Sequence, residues 1–164
     1  MKILIVDDDA SVRESVGKVL RTEGYETVTA ADGPVALKQF VMHPIGLLLL
    51  DLGLPLKNGW EVFEHITRQN PLLPIIVITG QTRQKRIAQA AGVGALMEKP
   101  LDVDELLRVI KQLLAESPEA RLQRLIGRGG EVHYVPPAGM EFLQHLREQQ
   151  GKPYEFKPPE RPPL

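Results

Sequence analysis

Short apolar runs alternate with amphipathic stretches from the first residues to about residue 116. Ile3–Val6 reads as a strand. A helix follows in which Val12, Val16, Val19 and Leu20 share one face behind Ser11 as a cap. Glu26–Ala30 is more polar, the pattern of a strand at a sheet edge. Asp32-Gly33-Pro34 opens a second helix, with Val35, Leu37, Phe40 and Val41 as its apolar positions. The run GLLLLD, residues 46–51, shows no alternation, which predicts a parallel strand covered on both faces. Asn58-Gly59 precedes a third helix bearing Val62, Phe63 and Ile66. PIIVITG, residues 74–80, is a fourth buried strand, and a polar helix runs on to about Ala91. Ala95–Met97 is a short fifth strand. After it Val103, Leu106, Leu107, Ile110, Leu113 and Leu114 recur at helical spacing.

Strands alternating with helices in this way predict an α/β fold with a five-stranded, parallel, doubly wound sheet. Such sheets hold their sites beyond the carboxyl ends of the strands. Asp7 and Asp8 follow the first strand, Asp51 closes the third, Thr79 closes the fourth and Lys99 follows the fifth. Each alone has an ordinary reading: a turn-forming or capping Asp, a β-branched strand residue, a solvated Lys. Their convergence on one rim argues for a site. The adjacent acids Asp7, Asp8 and Asp9 repel one another unless a cation, a lysine or water compensates them. Asp9 fits better as the residue that leads into the helix, capping alongside Ser11.

Carboxylates at Asp7, Asp8 and Asp51 form a hard-oxygen set suited to Mg²⁺, with Mn²⁺ as a substitute, rather than to zinc or copper. Asp51, at the end of the most apolar strand, is the best placed to act as a nucleophile on phosphorus. The oxygens of a transferred phosphoryl group need positive charge or hydrogen-bond donors. The metal, the Lys99 ammonium and the Thr79 hydroxyl supply them in this reading.

Composition narrows the classes further. The chain contains no Cys, which excludes disulfides, thiolate metal sites and Cys nucleophiles. A net charge of −1 gives no footprint for nucleic acid. No apolar run approaches the roughly 20 residues that span a bilayer, and the first residues do not form a signal peptide. A cytoplasmic protein is expected, with neither nucleic acid nor membrane as partner.

The stretch from Lys2 to about Glu116 resembles the receiver domain of bacterial two-component response regulators. The resemblance lies in ILIVDDD, LLLLDLGLP followed by NG, IIVITG and EKPLD, in that order. It implies a flavodoxin-like fold, Asp7 and Asp8 as the acidic pair, and Asp51 as the phosphoacceptor. It further implies that the Gly53 carbonyl ligates the metal, that Thr79 is the switch hydroxyl, and that Lys99 bonds the phosphoryl group. A cis Lys99–Pro100 bond is implied as well. The partners it suggests are a sensor histidine kinase or phosphotransfer protein and a downstream protein, with the chain a monomer or a phosphorylation-dependent dimer.

Some positions depart from that pattern. Leu96 stands where the family generally has an aromatic switch residue, which puts the usual aromatic readout in doubt. Gly53 and Gln81 offer no carboxylate base near the phosphoacceptor and are candidates for tuning phosphate lifetime. Trp60 reads as a packing residue, the four His residues show no ligand spacing, and Arg83, Lys85 and Arg86 read as a solvated basic cluster.

Three segments are expected: a receiver over 1–117, a helix/strand/helix extension over 118–150, and a Pro-rich, disordered tail over 151–164. Ser117-Pro118 starts a helix with Leu122, Leu125 and Ile126 on one face. EVHYV is a candidate strand, and Met140, Phe142, Leu143 and Leu146 a further helix. Residues 118–164 together have 7 basic and 6 acidic residues and no helix-turn-helix pattern, so no DNA-binding output is expected. On this reading the chain catalyses only its own phosphorylation and dephosphorylation. Two alternatives remain: a haloacid-dehalogenase-like phosphohydrolase with Asp7 as nucleophile, and a pseudo-receiver that binds partners without being phosphorylated.

Overall fold

In the computed structural model, residues 1–56, 58–81, 84–126 and 132–138 are described. Five of the strands lie where the apolar runs predict them: β1 (Lys2–Val6), β2 (Glu26–Ala30), β3 (Ile45–Asp51), β4 (Ile75–Thr79) and β5 (Ala95–Glu98). A sixth, β6 (His133–Val135), adds to β5, so the sheet has six strands rather than the five expected. Their order is β2-β1-β3-β4-β5-β6, and every pairing is parallel. The polar β2 is an edge strand, as its composition requires.

The unbroken apolar run of β3 is explained by the two cores that flank the sheet. Leu48 and Leu50 face one core with Val62, Phe63 and Ile66 of α3 (Gly59–Gln69), Ala36 of α2 (Gly33–Met42) and Ala88 of α4 (Lys85–Ala90). Leu47 and Leu49 face the other, with Val16 and Leu20 of α1 (Ala10–Thr22) and Leu106, Ile110 and Leu113 of α5 (Val103–Ala115). A strand with alternate residues in two dry layers has no polar face to display.

Two helix readings need correction. On α2, Ala36 is the fully buried position, whereas Val35 and Val41 are exposed, Val41 at 73%. The apolar count overrode the helical phase, and single exposed apolar residues are common. The cap of α1 is Asp9 rather than Ser11. Its carboxylate accepts the Ser11 backbone N–H at 2.8 Å and the Ser11 hydroxyl at 2.5 Å, which lowers the Asp9 pKa.

Ser117 caps α6 (Pro118–Leu125) as predicted, its hydroxyl accepting from Ala120 N–H. Of the expected apolar face, the half-buried Leu125 meets the rest of the fold beside Gly92, whereas Leu122 and Ile126 are exposed. Arginines add polar contacts. Arg121 donates to the Leu113 and Leu72 carbonyls, and Arg124 donates to the Gly92 carbonyl and the Glu116 carboxylate. The fit is close, since a Cβ on Gly92 (φ 71°) would lie 3.1 Å from Leu125 Cα. So α6 lies against the turn that leads into β5, at the amino end of the sheet. From there the chain reaches β6 in the parallel sense. The expected helix near Met140–Leu146, the Pro-rich tail, Arg83 and His145 fall outside the described residues.

Candidate functional site

The carboxyl ends of β1, β3, β4 and β5 bring together the residues predicted for the rim. Asp7 is 1% exposed, and its Oδ1 accepts the Asp9 backbone N–H at 2.9 Å. Asp8, next to it, is exposed. Asp51 is 4% exposed and turns Oδ1 to the Gly53 N–H at 2.8 Å. Lys99 is held by its backbone N–H to the Thr79 carbonyl. Its Nζ donates to Asp7 Oδ2 at 2.8 Å and to Asp51 Oδ2 at 2.6 Å. The Lys99–Pro100 bond is cis. Thr79, 1% exposed, accepts the Gln81 N–H through its hydroxyl at 2.9 Å.

The loop after β3 is set by a close approach. A Cβ on Gly59 would lie 2.5 Å from the Asp51 carbonyl oxygen and 2.6 Å from Leu52 Cα, so α3 can begin there only with glycine. Gly53 differs, since a Cβ there would sit 3.5 Å from Asp51 Oδ1, in ordinary contact. Position 53 is therefore an open seat beside the Asp51 carboxylate. Gln81 does not reach inward. Its side-chain carbonyl accepts from Gln84, which in turn accepts from the Trp60 indole N–H. Trp60 packs edge-on against Phe63, the packing role expected of it.

Sequence reasoning missed Arg13. One of its guanidinium nitrogens donates to the backbone carbonyls of Asp7 at 2.7 Å and Asp8 at 2.9 Å, fixing the acidic turn from α1. Only its position on the first helix turn after the acids hinted at this. Tyr134 and Lys85 were likewise missed as a pair, the Lys85 ammonium lying 5.2 Å from the Tyr134 ring centre. Leu96 is fully buried and is the ladder partner of Tyr134.

Electrostatics decide what the rim can hold. Carboxylate oxygens of Asp7, Asp8 and Asp51 lie within 4.8 Å of one another, the one cluster among the described residues spaced so that it could hold a metal ion. Burial pushes the Asp7 pKa up, and the Asp51 charge adds to that, against the pull of Lys99. Burial also works against the Lys99 charge, but the two carboxylates outweigh it and hold its pKa above 10.5. Three acids thus face one bonded ammonium, and the charge left over is negative. The donor set is all oxygen, without His or Cys, and fits a hard divalent cation held by Asp7, Asp8 and Asp51. Beside Lys99 a groove of about 330 Å³ opens between α1 and the start of α5, lined by Val12, Val16, Pro100 and Leu101 among others.

Known proteins resemble this chain in sequence and fold. Over 162 residues the chain is 30% identical to the transcriptional regulatory protein CrdR of Helicobacter pylori, covering 92% of this chain and 75% of that protein. It is 36% identical over 123 residues to the response regulator ArlR of Staphylococcus saprophyticus, covering 74% of this chain but only 56% of that protein. The crystal structure of the response regulator TrrA from Thermotoga maritima, in complex with Mg²⁺-BeF, superposes with a TM-score of 0.64 at 32% identity. That match covers 68% of this chain and 97% of the other. The family model for the response regulator receiver domain matches residues 3–111, the stretch that carries all four strand ends of the acidic rim, and the chain belongs to that family.

Proposed function

We propose that Asp51 is the phosphoacceptor of a two-component signalling protein and that Mg²⁺, or Mn²⁺ in its place, is held by Asp7, Asp8, Asp51 and the Gly53 carbonyl. The observation that carries this reading is the convergence of three carboxylates, Asp7, Asp8 and Asp51, at the ends of β1 and β3, two of them bonded to Lys99 after β5. An Asp51 oxygen attacks phosphorus, and the bond from phosphorus to the donor breaks. A phosphohistidine donor leaves as imidazole and acetyl phosphate leaves as acetate. The metal, when bound, neutralises charge on the phosphoryl oxygens. The Lys99 ammonium follows the phosphoryl group from the Asp51 oxygen it now covers. It is 28% exposed, so an incoming phosphoryl group can reach the oxygen it covers. The Thr79 hydroxyl, at the end of the adjacent strand, donates to a further phosphoryl oxygen.

The donor in this reading is a sensor histidine kinase or a phosphotransfer protein, seated with the help of the apolar groove beside Lys99. That TrrA was captured with Mg²⁺-BeF supports the choice of metal and of a phosphoryl-like ligand. The protein catalyses only the gain and loss of its own phosphoryl group. Output passes by contact with a downstream protein. Residues 118–138 support this, because their described part adds a helix and a strand to the receiver sheet. The reading makes the protein a cytoplasmic one, and no described helix is long and apolar enough to cross a membrane.

The test is incubation with acetyl phosphate and Mg²⁺, followed by intact mass, for the wild type and Asp51→Asn. One phosphoryl adduct in the wild type and none in the variant is expected. An adduct that persists in the variant moves the nucleophile to Asp7 and favours the hydrolase. No adduct in either leaves a binding module without phosphorylation.

A further inference from the structure

The segment His133–Ala138, which begins with β6, meets the chain on both sides of Lys99. Before it, β6 pairs with β5, setting Tyr134 beside Leu96 and Val135 beside Met97. Tyr134 packs against the core that holds Leu96, with the Lys85 ammonium over its ring. Burial raises the pKa of its hydroxyl, and the Glu98 carboxylate, one residue before Lys99, raises it further. After Lys99, the Pro100 carbonyl accepts the Ala138 N–H at 2.8 Å. The backbone of Lys99 is thus pinned by β4 through Thr79, while Val135 pairs with Met97 two residues before it and Ala138 holds Pro100 just after it.

We infer that the segment from His133 to Ala138 positions Lys99 on Asp7 and Asp51, and that the pairing of β6 with β5 responds in turn to the state of Asp51. The inference rests on the reading of Asp51 as phosphoacceptor. A phosphoryl group on Asp51 requires the Lys99 ammonium to give up an oxygen it now contacts at 2.6 Å. Lys99 lies between Met97, the last β5 residue paired with β6, and Pro100, whose carbonyl Ala138 holds, so a shift of its backbone is felt at both points. A strand of three residues at the sheet edge belongs to the least stable part of a sheet, and a small push changes its pairing. Coupling between two sites is reciprocal, so what loosens the strand also changes the site.

The experiment is amide hydrogen exchange on the full chain before and after phosphorylation with acetyl phosphate and Mg²⁺, with intact mass confirming the adduct. Exchange at Tyr134, Val135 and Ala138 is expected to change by about fivefold or more. A smaller change in protein that carries the adduct overturns the inference. Absence of any adduct removes the reading of Asp51 and the inference with it. In the reciprocal arm, Tyr134→Ala slows phosphoryl uptake and Tyr134→Phe, which keeps the ring, restores it. Uptake by Tyr134→Ala at the wild-type rate overturns the positioning role.

Discussion

Lys99 Nζ donates to Asp51 Oδ2 at 2.6 Å across 48 positions of sequence, and the same ammonium reaches Asp7 Oδ2 at 2.8 Å. One flexible side chain therefore closes the ends of β1, β3 and β5 into a single electrostatic unit. Both acids are nearly buried, so the unit depends on this cation to a degree that no surface ion pair does.

Removing the ammonium separates its two roles. Lys99→Ala leaves two buried carboxylates without their partner and is expected to cost about 3 kcal/mol, read from urea unfolding in the presence of a chelator. Added Mg²⁺ should recover most of that loss. Phosphoryl uptake should fall about 100-fold at saturating Mg²⁺, because a donor to the developing charge is gone.

Asp7→Asn should stabilise the metal-free protein at neutral pH. An acid whose folded pKa lies above its ordinary 3.8 binds its proton more tightly when folded, so its ionised form weakens the fold. That cost is absent below pH 3.8 and grows as pH rises through the raised folded value. Urea midpoints of variant and wild type should therefore converge in acid and separate toward pH 7 when no metal is present. Mg²⁺ should stabilise the wild type more than the variant, and equal stabilisation would remove Asp7 from the metal site.

Gly53→Asn and Gln81→Ala test the loops beside Asp51, the proposed phosphoacceptor. A side chain at 53 would begin 3.5 Å from Asp51 Oδ1, whereas the Gln81 amide is engaged by Gln84 on the surface. The phosphate lifetime should change in Gly53→Asn and change less in Gln81→Ala, followed by decay of the intact-mass adduct. Three equal lifetimes would end the idea.

Gly59→Ala forces a methyl group against the Asp51 carbonyl and should cost about 1–3 kcal/mol in urea unfolding. Gly80→Ala is the control, since a Cβ there meets nothing within 4 Å. A loss at Gly80 as large as that at Gly59 would show that close packing is not the cause.

Much of the site was legible because strand ends are legible. Apolar runs at 3–6, 46–51 and 74–80 fixed where Asp7, Asp51 and Thr79 must emerge, since a parallel sheet delivers the ends of its strands to one rim. Helix 2 was harder to read, because Ala36 carries too weak an apolar signal to reveal which face is buried. Arg13 was invisible for another reason: its partners are backbone carbonyls, which no sequence pattern marks.

By itself the sequence determined the parallel α/β order, the acidic rim and its single facing lysine, for these follow from local hydrophobic period and from residue type. Only the tertiary structure decided that HYV becomes a sixth strand on β5, that arginines help dock α6, and that Val135 and Ala138 hold Met97 and Pro100 on either side of Lys99. A three-residue strand gains its hydrogen bonds from a neighbour nearly forty residues away. No local pattern encodes such a pairing, because its free energy exists only once the edge of β5 has formed.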